Sequence, residues 1–333
     1  MTQRTSPPLP APSPFPFEIN RLRRHLSRVL CKKASIRHVE DITGGNIFPT
    51  YFLFLSDSSQ YILKLPPATT TRLLRHEQRG LEAELLLHQQ LAASTDVPVS
   101  HVLSHDLTYR TLGIPFILLN FLPGRRLSDH QHYLSEPDRQ SINSQLGIFI
   151  AAINQVTTTR FGQLPAVASG SGCWQWRDGF VELMENALRD AEDMVIALPY
   201  QGLRRSLDVW GEVLEEVRES KLVLLEVGEI IINETSSRIE GLVGCGRAIW
   251  GDPLMAGVLD HADEAFLTGY GAYPPAFGKE RIRQLLYSAY RAVVQIVENY
   301  YRPGDEEKEL DARRRLTDSL NALEAIEASA APT

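Results

Sequence analysis

Two glycines, a lysine and two glutamates form the first group of residues with chemical potential. Thr43-Gly44-Gly45-Asn46 reads as a turn between two strands, and Lys64 follows on a third strand between Leu63 and Leu65. Glycines let backbone N–H groups come close to phosphate oxygens, and a lysine on a neighbouring strand supplies the counter-charge. Alternation along the strand turns Lys64 to the face opposite Leu63 and Leu65. Glu82 and Glu84 follow on a helical stretch, and either can hold such a lysine in position. The same residues also read as a plain Gly-Gly hairpin and a solvated strand lysine, and spacing alone leaves both readings open. His130 and His132 make an HxH pair without a third ligand in view, so a surface loop accounts for them. Trp174 and Trp176 suit either a substrate cleft or packing between helices. Asp252, in Trp-Gly-Asp-Pro, reads as a structural cap or brace.

The elements that would position these residues follow from hydrophobic period. Over 18–33 the spacing predicts a helix with Leu22, Leu26 and Val29 on one face and Arg21, Arg24 and Arg28 on a solvated basic face. The period then shortens. Strands are expected over 35–42, 47–55 and 61–65, with Asp57-Ser58-Ser59 as a hairpin turn, then a helix over 72–91 and strands over 102–105 and 115–122. Pro123-Gly124 marks a boundary. Beyond it the chain reads as mainly helical: 135–156 with Ser135 as N-cap, 177–191, 201–219, 263–270, 279–301 and 306–328. A β island over 222–226, 230–233 and 238–244 interrupts them. The expected organisation is α+β, with a β-rich N-terminal lobe over 18–123 and a larger helical lobe over 124–333. Residues 1–17 carry six prolines and read as a disordered arm, with a PxxP spacing at Pro7 and Pro10.

Composition narrows the function classes. The chain has 333 residues, 43% hydrophobic and 23% charged, enough for two lobes with cores of their own. A formal charge of -7 argues against a dedicated nucleic-acid binder. No apolar run approaches a membrane span, and the proline-broken N-terminus is not a secretory signal, so neither nucleic acid nor membrane is an expected partner. Cys31, Cys173 and Cys245 build neither a zinc site nor a disulfide framework, which fits a cytoplasmic location.

Several segments, in order, resemble the aminoglycoside phosphotransferase and choline-kinase-like family. They are Ile62-Leu63-Lys64, Leu81-Glu82-Ala83-Glu84, Asp96-Val97-Pro98-Val99, and the stretch from Phe116 to Gly124. Leu198-Pro199-Tyr200, Leu222-Val223-Leu224, Trp250-Gly251-Asp252-Pro253-Leu254-Met255 and the stretch from Ala265 to Tyr270 continue it. The resemblance covers about 20–300 and implies a bilobal protein-kinase-like fold that binds ATP between its lobes and phosphorylates small-molecule hydroxyls. It implies that Gly44, Gly45 and Asn46 cover the phosphates, and that Lys64 pairs with them and is held by Glu84, with Glu82 as the alternative. The backbone of Asn120, Phe121 and Leu122 would form the hinge that receives adenine.

The second half of the implied machinery departs from the family pattern. The catalytic Asp position holds Glu226, and the metal-binding Asn position holds Ile231. The metal-binding Asp position holds Gly244, and the acid that follows is replaced by Gly246. Phosphoryl transfer relies on metal ions placed at the β and γ oxygens, and neither glycine nor isoleucine ligates Mg²⁺ through its side chain. Glu226 keeps a carboxylate on a longer arm, and Glu229 is the one nearby substitute ligand. The expected function is therefore that of a pseudokinase, retaining nucleotide or a small-molecule ligand in the interlobe cleft or acting through a protein partner. The alternatives are a divergent small-molecule kinase and an enzyme that reuses the cleft for another reaction.

Overall fold

The computed structural model describes residues 15–43, 47–273, 277–302 and 304–330. The chain divides into two compact units, one formed by the chain up to 68 with 102–121, the other by 69–101 and everything from 122 onward.

The first unit is a helix on an antiparallel sheet. Helix α1 (Ile19–Val29) precedes strands β1 (Ile36–Asp41), β2 (Thr50–Leu55) and β3 (Gln60–Lys64), followed by β4 (Val102–Asp106) and β5 (Phe116–Asn120). The strands lie in the order β1-β2-β3-β5-β4. Alternation sends Tyr51, Leu53 and Leu55 of β2 into the core. Leu22 and Leu26 of α1 pack there with Leu63, Leu65 and Phe116. The hairpin turn falls at the expected residues, with Ser58 at φ 67° and Asp57 Oδ1 accepting from Ser59 N at 3.1 Å. The arm expected over 1–17 lies outside the described residues up to 14. Its last residues are corrected by the structure: Phe15 and Phe17 stack on each other, both meet the edge of Tyr51, and Phe17 is buried in this core. Their apolar area offsets the backbone N–H that Pro16 lacks.

The second unit begins with α2 (Gly80–Ser94) and resumes at β6 (Arg125–Arg126). Then come α3 (Leu127–His130), α4 (Glu136–Ile153), β7 (Thr157–Thr158), β8 (Gly162–Gln163) and α5 (Leu164–Ala168). Helices α6 (Trp176–Asp193) and α7 (Tyr200–Leu214) lead to β9 (Ser220–Leu224), β10 (Glu229–Ile232), β11 (Ile239–Val243) and β12 (Ala248–Gly251). Helices α8 (Glu264–Tyr270), α9 (Gly278–Tyr301) and α10 (Glu306–Ala330) close the chain. The strands form two small sheets, β7-β9-β12-β8 and β11-β10-β6. Ser135 caps α4 as expected, its Oγ accepting from Asp138 N, and Asp263 caps α8.

The placement of 69–101 differs from the expected division at 123. Leu87 and Leu91 of α2, with Val97 and Val99, are buried against Ile142, Ile153, Leu222 and Leu242, so this stretch belongs to the helical unit. Leu242 N also donates to Pro98 O at 2.9 Å. Gly124 lies inside the second unit, past the division at 121/122; its φ is 134°, and a Cβ there would meet Ile231 Cγ2 and Ile232 O at 2.7 Å. Strands β6, β7, β8 and β12 were not expected. Three have two residues each, too short for a period, and all four residues of β12 are buried, so it lacks alternation. No helix among the described residues is long and apolar enough to cross a membrane.

Candidate functional site

The loop after β9 carries the residue at the implied catalytic position. Register holds it: Leu222, Val223 and Leu224 pair with Trp250, Ile249 and Ala248 of β12. Leu225 N then donates to Arg247 O at 2.9 Å, which extends the pairing one residue beyond the strand. Glu226 follows, and the chain turns back through Gly228 into β10. Gly228 has no room for a side chain, because a Cβ there would sit 2.5 Å from Gly244 O. Gly244 itself has φ 71° at the end of β11, a left-handed conformation that glycine adopts without strain. The two loops are thus locked together by backbone contact, and Glu226 and Gly244 belong to one small region.

Glu226 is engaged by an arginine from the same region. Arg247 Nη1 donates to Glu226 Oε1 and, at 2.9 Å, to Glu298 Oε1 of α9. Burial works against the Arg247 charge, but Glu298 and Glu226 outweigh it and hold the guanidinium ionised beyond its ordinary range. Burial raises the Glu298 carboxyl, and Arg247 opposes that rise. His76 lies nearby, with Nε2 3.8 Å from Glu298 Oε1. Burial and the charges of Arg247 and Arg302 push its pKa well below 6.5, so the ring is neutral near pH 7.

Beside Glu226 opens a cavity of about 550 Å³, lined by Glu226, Arg247, Asp260, Asp263, Arg291 and Glu298 among others. Each of its carboxylates is already bonded within the protein. Asp260 takes two bonds from Arg291, one from Nε at 2.8 Å. Asp263 accepts from Phe266 N at 2.8 Å and from Asn143 Nδ2 at 2.5 Å. Glu226 and Glu298 share Arg247.

The residues present do not fit a catalytic Mg²⁺. Ile231 is buried in β10, opposite Arg126 and Gly241, and brings no oxygen; Gly244 and Gly246 have no side chain. Glu229, the substitute considered from sequence, is committed elsewhere: its carboxylate accepts from Ser128 Oγ, from Ser128 N at 3.3 Å and from Ile230 N at 3.0 Å. Among the described residues, His76, Glu77 and Glu298 are the group close enough to share a metal ion. Glu77 is bonded to Arg302 and Glu298 to Arg247, so a cation there would face two fixed guanidinium charges.

The nucleotide-side expectations are placed as follows. Lys64 ends β3, opposite Thr50 and Ile117, and is 9% exposed. Glu84 is buried in α2, with His88 Nε2 3.7 Å from its Oε1. Glu82 is bonded to Arg79 through two contacts at 2.7 and 2.8 Å, which separates the two candidates by environment. Lys64 belongs to the first unit and Glu84 to the second. Gly44, Gly45 and Asn46 lie outside the described residues. Asn120 ends β5 opposite Tyr61, with Nδ2 donating to Phe121 O at 3.3 Å, and the Phe121 ring stands 4.9 Å from that of Phe52. Leu122 opens the second unit and covers Gly241 so closely that a Cβ there has no space.

Asp252 is the brace that its context suggested. Its Oδ2 accepts from Arg283 Nε at 2.9 Å and from Tyr287 Oη at 2.7 Å, and Oδ1 accepts from Leu254 N. Trp176 joins it through Nε1 to Tyr287 Oη at 2.7 Å, fully buried, so packing accounts for this tryptophan. Trp174 is 70% exposed beneath the Arg160 guanidinium. The roles of Arg247 and Glu298 were not read from sequence. Arg247 follows Gly246 without any spacing that signals a partner, and Glu298 lies more than fifty residues on, in a helix without a motif.

The sequence matches the profile of the phosphotransferase enzyme family over residues 38–285. A candidate fructosamine-3-kinase from Thermobifida fusca YX-ER1 superposes with a TM-score of 0.63 at 16% identity, covering 92% of this chain and 99% of that one. The gentamicin complex of APH(2'')-IIa gives 0.58 at 15% identity, covering 91% and 97%. A thermostable mutant of the aminoglycoside phosphotransferase APH(4)-Ia, with AMP-PNP and hygromycin B, gives 0.61 at 14% identity, covering 90% and 98%. At such identities the likeness shows the fold, which is protein-kinase-like. No curated protein sequence matches the chain. With residues 38–285, most of its length, inside the family profile, the chain belongs to the phosphotransferase enzyme family.

Proposed function

We propose that this member of the family is a pseudokinase, which retains a nucleotide or small-molecule ligand without Mg²⁺-dependent phosphoryl transfer. The observation that carries the reading is the state of the catalytic-loop position: Glu226 is tied to Arg247, while Ile231 and Gly244 offer no ligand oxygen. A general base must be free to accept the acceptor hydroxyl's proton, and the Glu226 Oε1 atom already accepts from Arg247 Nη1. Without metal, the charge developing on the transferred phosphoryl group has no counter-charge of the usual kind. ATP is the nucleotide we propose, since solved relatives hold ATP, ADP or AMP-PNP. We place the protein in the cytoplasm, acting on a small-molecule ligand or through a protein partner.

One observation favours a divergent kinase as the second reading. Glu226 keeps a carboxylate on the wall of a 550 Å³ cavity large enough for a hydroxylated acceptor. Isothermal titration with ATP and ADP, each with and without Mg²⁺, together with an ATP-turnover assay on hydroxyl acceptors, separates the two. Metal-insensitive nucleotide binding without turnover supports the pseudokinase. Turnover at ordinary kinase rates, about 1–100 s⁻¹, rejects it.

A further inference from the structure

The groove between the last two helices presents donors that the protein itself leaves unused. Helices α9 and α10, with the 3-10 segment Gly257–His261, wall a cavity of about 630 Å³, within the range of small-molecule sites. It shares Asp260, Arg291 and Arg315 with the cavity beside Glu226. Much of its wall, including Ser288, Arg315, Asp318 and Ser319, lies beyond residue 285, where the family match ends.

The charges of this groove are unequally committed. Asp260 and Arg291 satisfy each other, and Arg291 Nη1 also donates to Met255 O at 3.3 Å. Arg281 is exposed, and neither its side chain nor that of Asp318 has a hydrogen bond or ion pair among the described residues. Arg315 donates through Nη2 to the neutral Gln295 side chain. Its Nε lies 3.1 Å from Asp311 Oδ2, but the N–H is not aimed at that oxygen and has no hydrogen-bond acceptor although buried. Ser319 donates its hydroxyl to Ser288 Oγ at 3.1 Å, which leaves the Ser288 proton without an acceptor among the described residues. Asp311 offsets the Arg315 charge, so what the groove leaves unmet is donor capacity: the Arg281 guanidinium, the Arg315 Nε–H and the Ser288 proton have no hydrogen-bond acceptor among the described residues.

We propose that this groove binds a small molecule bearing a compact oxyanion, either a phosphate or a carboxylate. Arg315 and Arg281 supply the charged contacts, and Ser288 adds a hydroxyl donor. The planar guanidinium fork matches either oxyanion and stays charged at any working pH. Asp318 is placed to accept from a hydroxyl or amine elsewhere on the ligand. A polycation is a poor fit, because Asp318 is the one carboxylate of the two cavities that no protein group holds among the described residues. This site is separate from the catalytic-loop reading and stands or falls without it.

The test is isothermal titration of the full chain at constant ionic strength, with neither nucleotide nor metal, so the outcome leaves the pseudokinase reading untouched. The probes are glucose 6-phosphate, citrate, glucose and kanamycin. Saturable binding of glucose 6-phosphate, of citrate or of both is expected, with none for glucose; the stronger arm identifies the oxyanion. Arg315→Gln and Arg281→Gln should each weaken binding about 10-fold or more, the loss expected for one charge-assisted contact. Arg281 is exposed, so Arg281→Gln and Ser288→Ala carry the test if Arg315→Gln does not fold. The proposal is overturned if neither anion binds below about 10 mM, if binding survives both arginine substitutions, or if kanamycin binds in preference to the anions.

Discussion

Arg247 holds Glu226, the residue at the proposed base position, through one nitrogen that it shares with Glu298. Reinstating the family pattern tests whether the missing ligands matter beyond that. Glu226→Asp, Ile231→Asn and Gly244→Asp together should strengthen Mg²⁺-dependent ATP binding about tenfold or more, while each alone does little, because groups acting as a unit are not additive. Gly244 sits at φ 71°, where Asp is better tolerated than most side chains, so that exchange is compatible with the backbone. Titration of the triple variant with and without Mg²⁺ checks this, and an unchanged metal response would show that the phosphates do not reach these positions. His76 supports a second expectation. Its folded pKa lies below the ordinary 6.5, so the unfolded chain binds the proton more readily. The stability it contributes is complete above pH 6.5 and is lost as the pH falls below that value. Glu298, raised by burial, acts in the opposite sense, gaining stability as the pH falls toward the carboxylate range. The imidazole contribution is therefore read as a difference: between pH 8 and pH 5 (values chosen to bracket about 6.5) the urea midpoint of the parent should drop more than that of His76→Gln. Equal pH profiles would place no weight on this histidine.

Helices α4 and α8 meet through glycines, and this close approach is the clearest element-level constraint. A Cβ on Gly147 would overlap Phe266 O and Tyr270 N, and one on Gly269 would overlap Ser144 O. In an exposed helix, Gly→Ala stabilises by about 1 kcal/mol. Here the sign should reverse, because the neighbours are backbone atoms that move only with their helices. Gly147→Ala and Gly269→Ala should each cost about 1–3 kcal/mol, as overpacked sites do, measured as a shift in the urea midpoint. A stabilising exchange at either position would show that α8 can step away. The consequence extends to the cavity, because Asp263 both caps α8 and lines the pocket beside Glu226. Loosening this pair should therefore weaken any ligand held there.

Across the whole molecule, burial orders the three thiols. Cys31 is exposed, Cys173 half-buried and Cys245 buried. Burial raises the Cys173 thiol, and the Glu182 charge adds to that, so less of the reactive thiolate is present. A thiol-reactive chromophore should therefore label one cysteine quickly, a second slowly, and the third only on denaturation. Replacing Cys31 by Ser should remove the fast phase alone. Fast labelling of Cys245 in the native protein would contradict the packing of the segment between β11 and β12 that frames the candidate site.

Local pattern was enough for much of this chain. Alternation in Tyr51-Phe52-Leu53-Phe54-Leu55 dictated a half-buried strand, Asp57-Ser58-Ser59 dictated the turn after it, and Ser135 and Asp263 announced two helix starts. These signals lie within a few residues of what they control, so no long-range contact is needed to read them. The identities of Glu226, Ile231 and Gly244 are read directly from the sequence, and neither isoleucine nor glycine brings a side-chain oxygen; the roles assigned to those positions rest on the family resemblance. Tertiary structure alone decided the rest. Whether 69–101 joined the sheet or the helices depended on which core could bury Leu87, Leu91 and Val99. The partner of Glu226 depended on a loop arginine and a helical glutamate brought together across fifty residues. The uncommitted donors of Arg315 and Ser288 became apparent only once α9 and α10 were packed. Hydrophobic period and capping are properties of a segment, whereas ion pairing and unmet hydrogen-bond capacity are properties of neighbours that only the folded chain supplies.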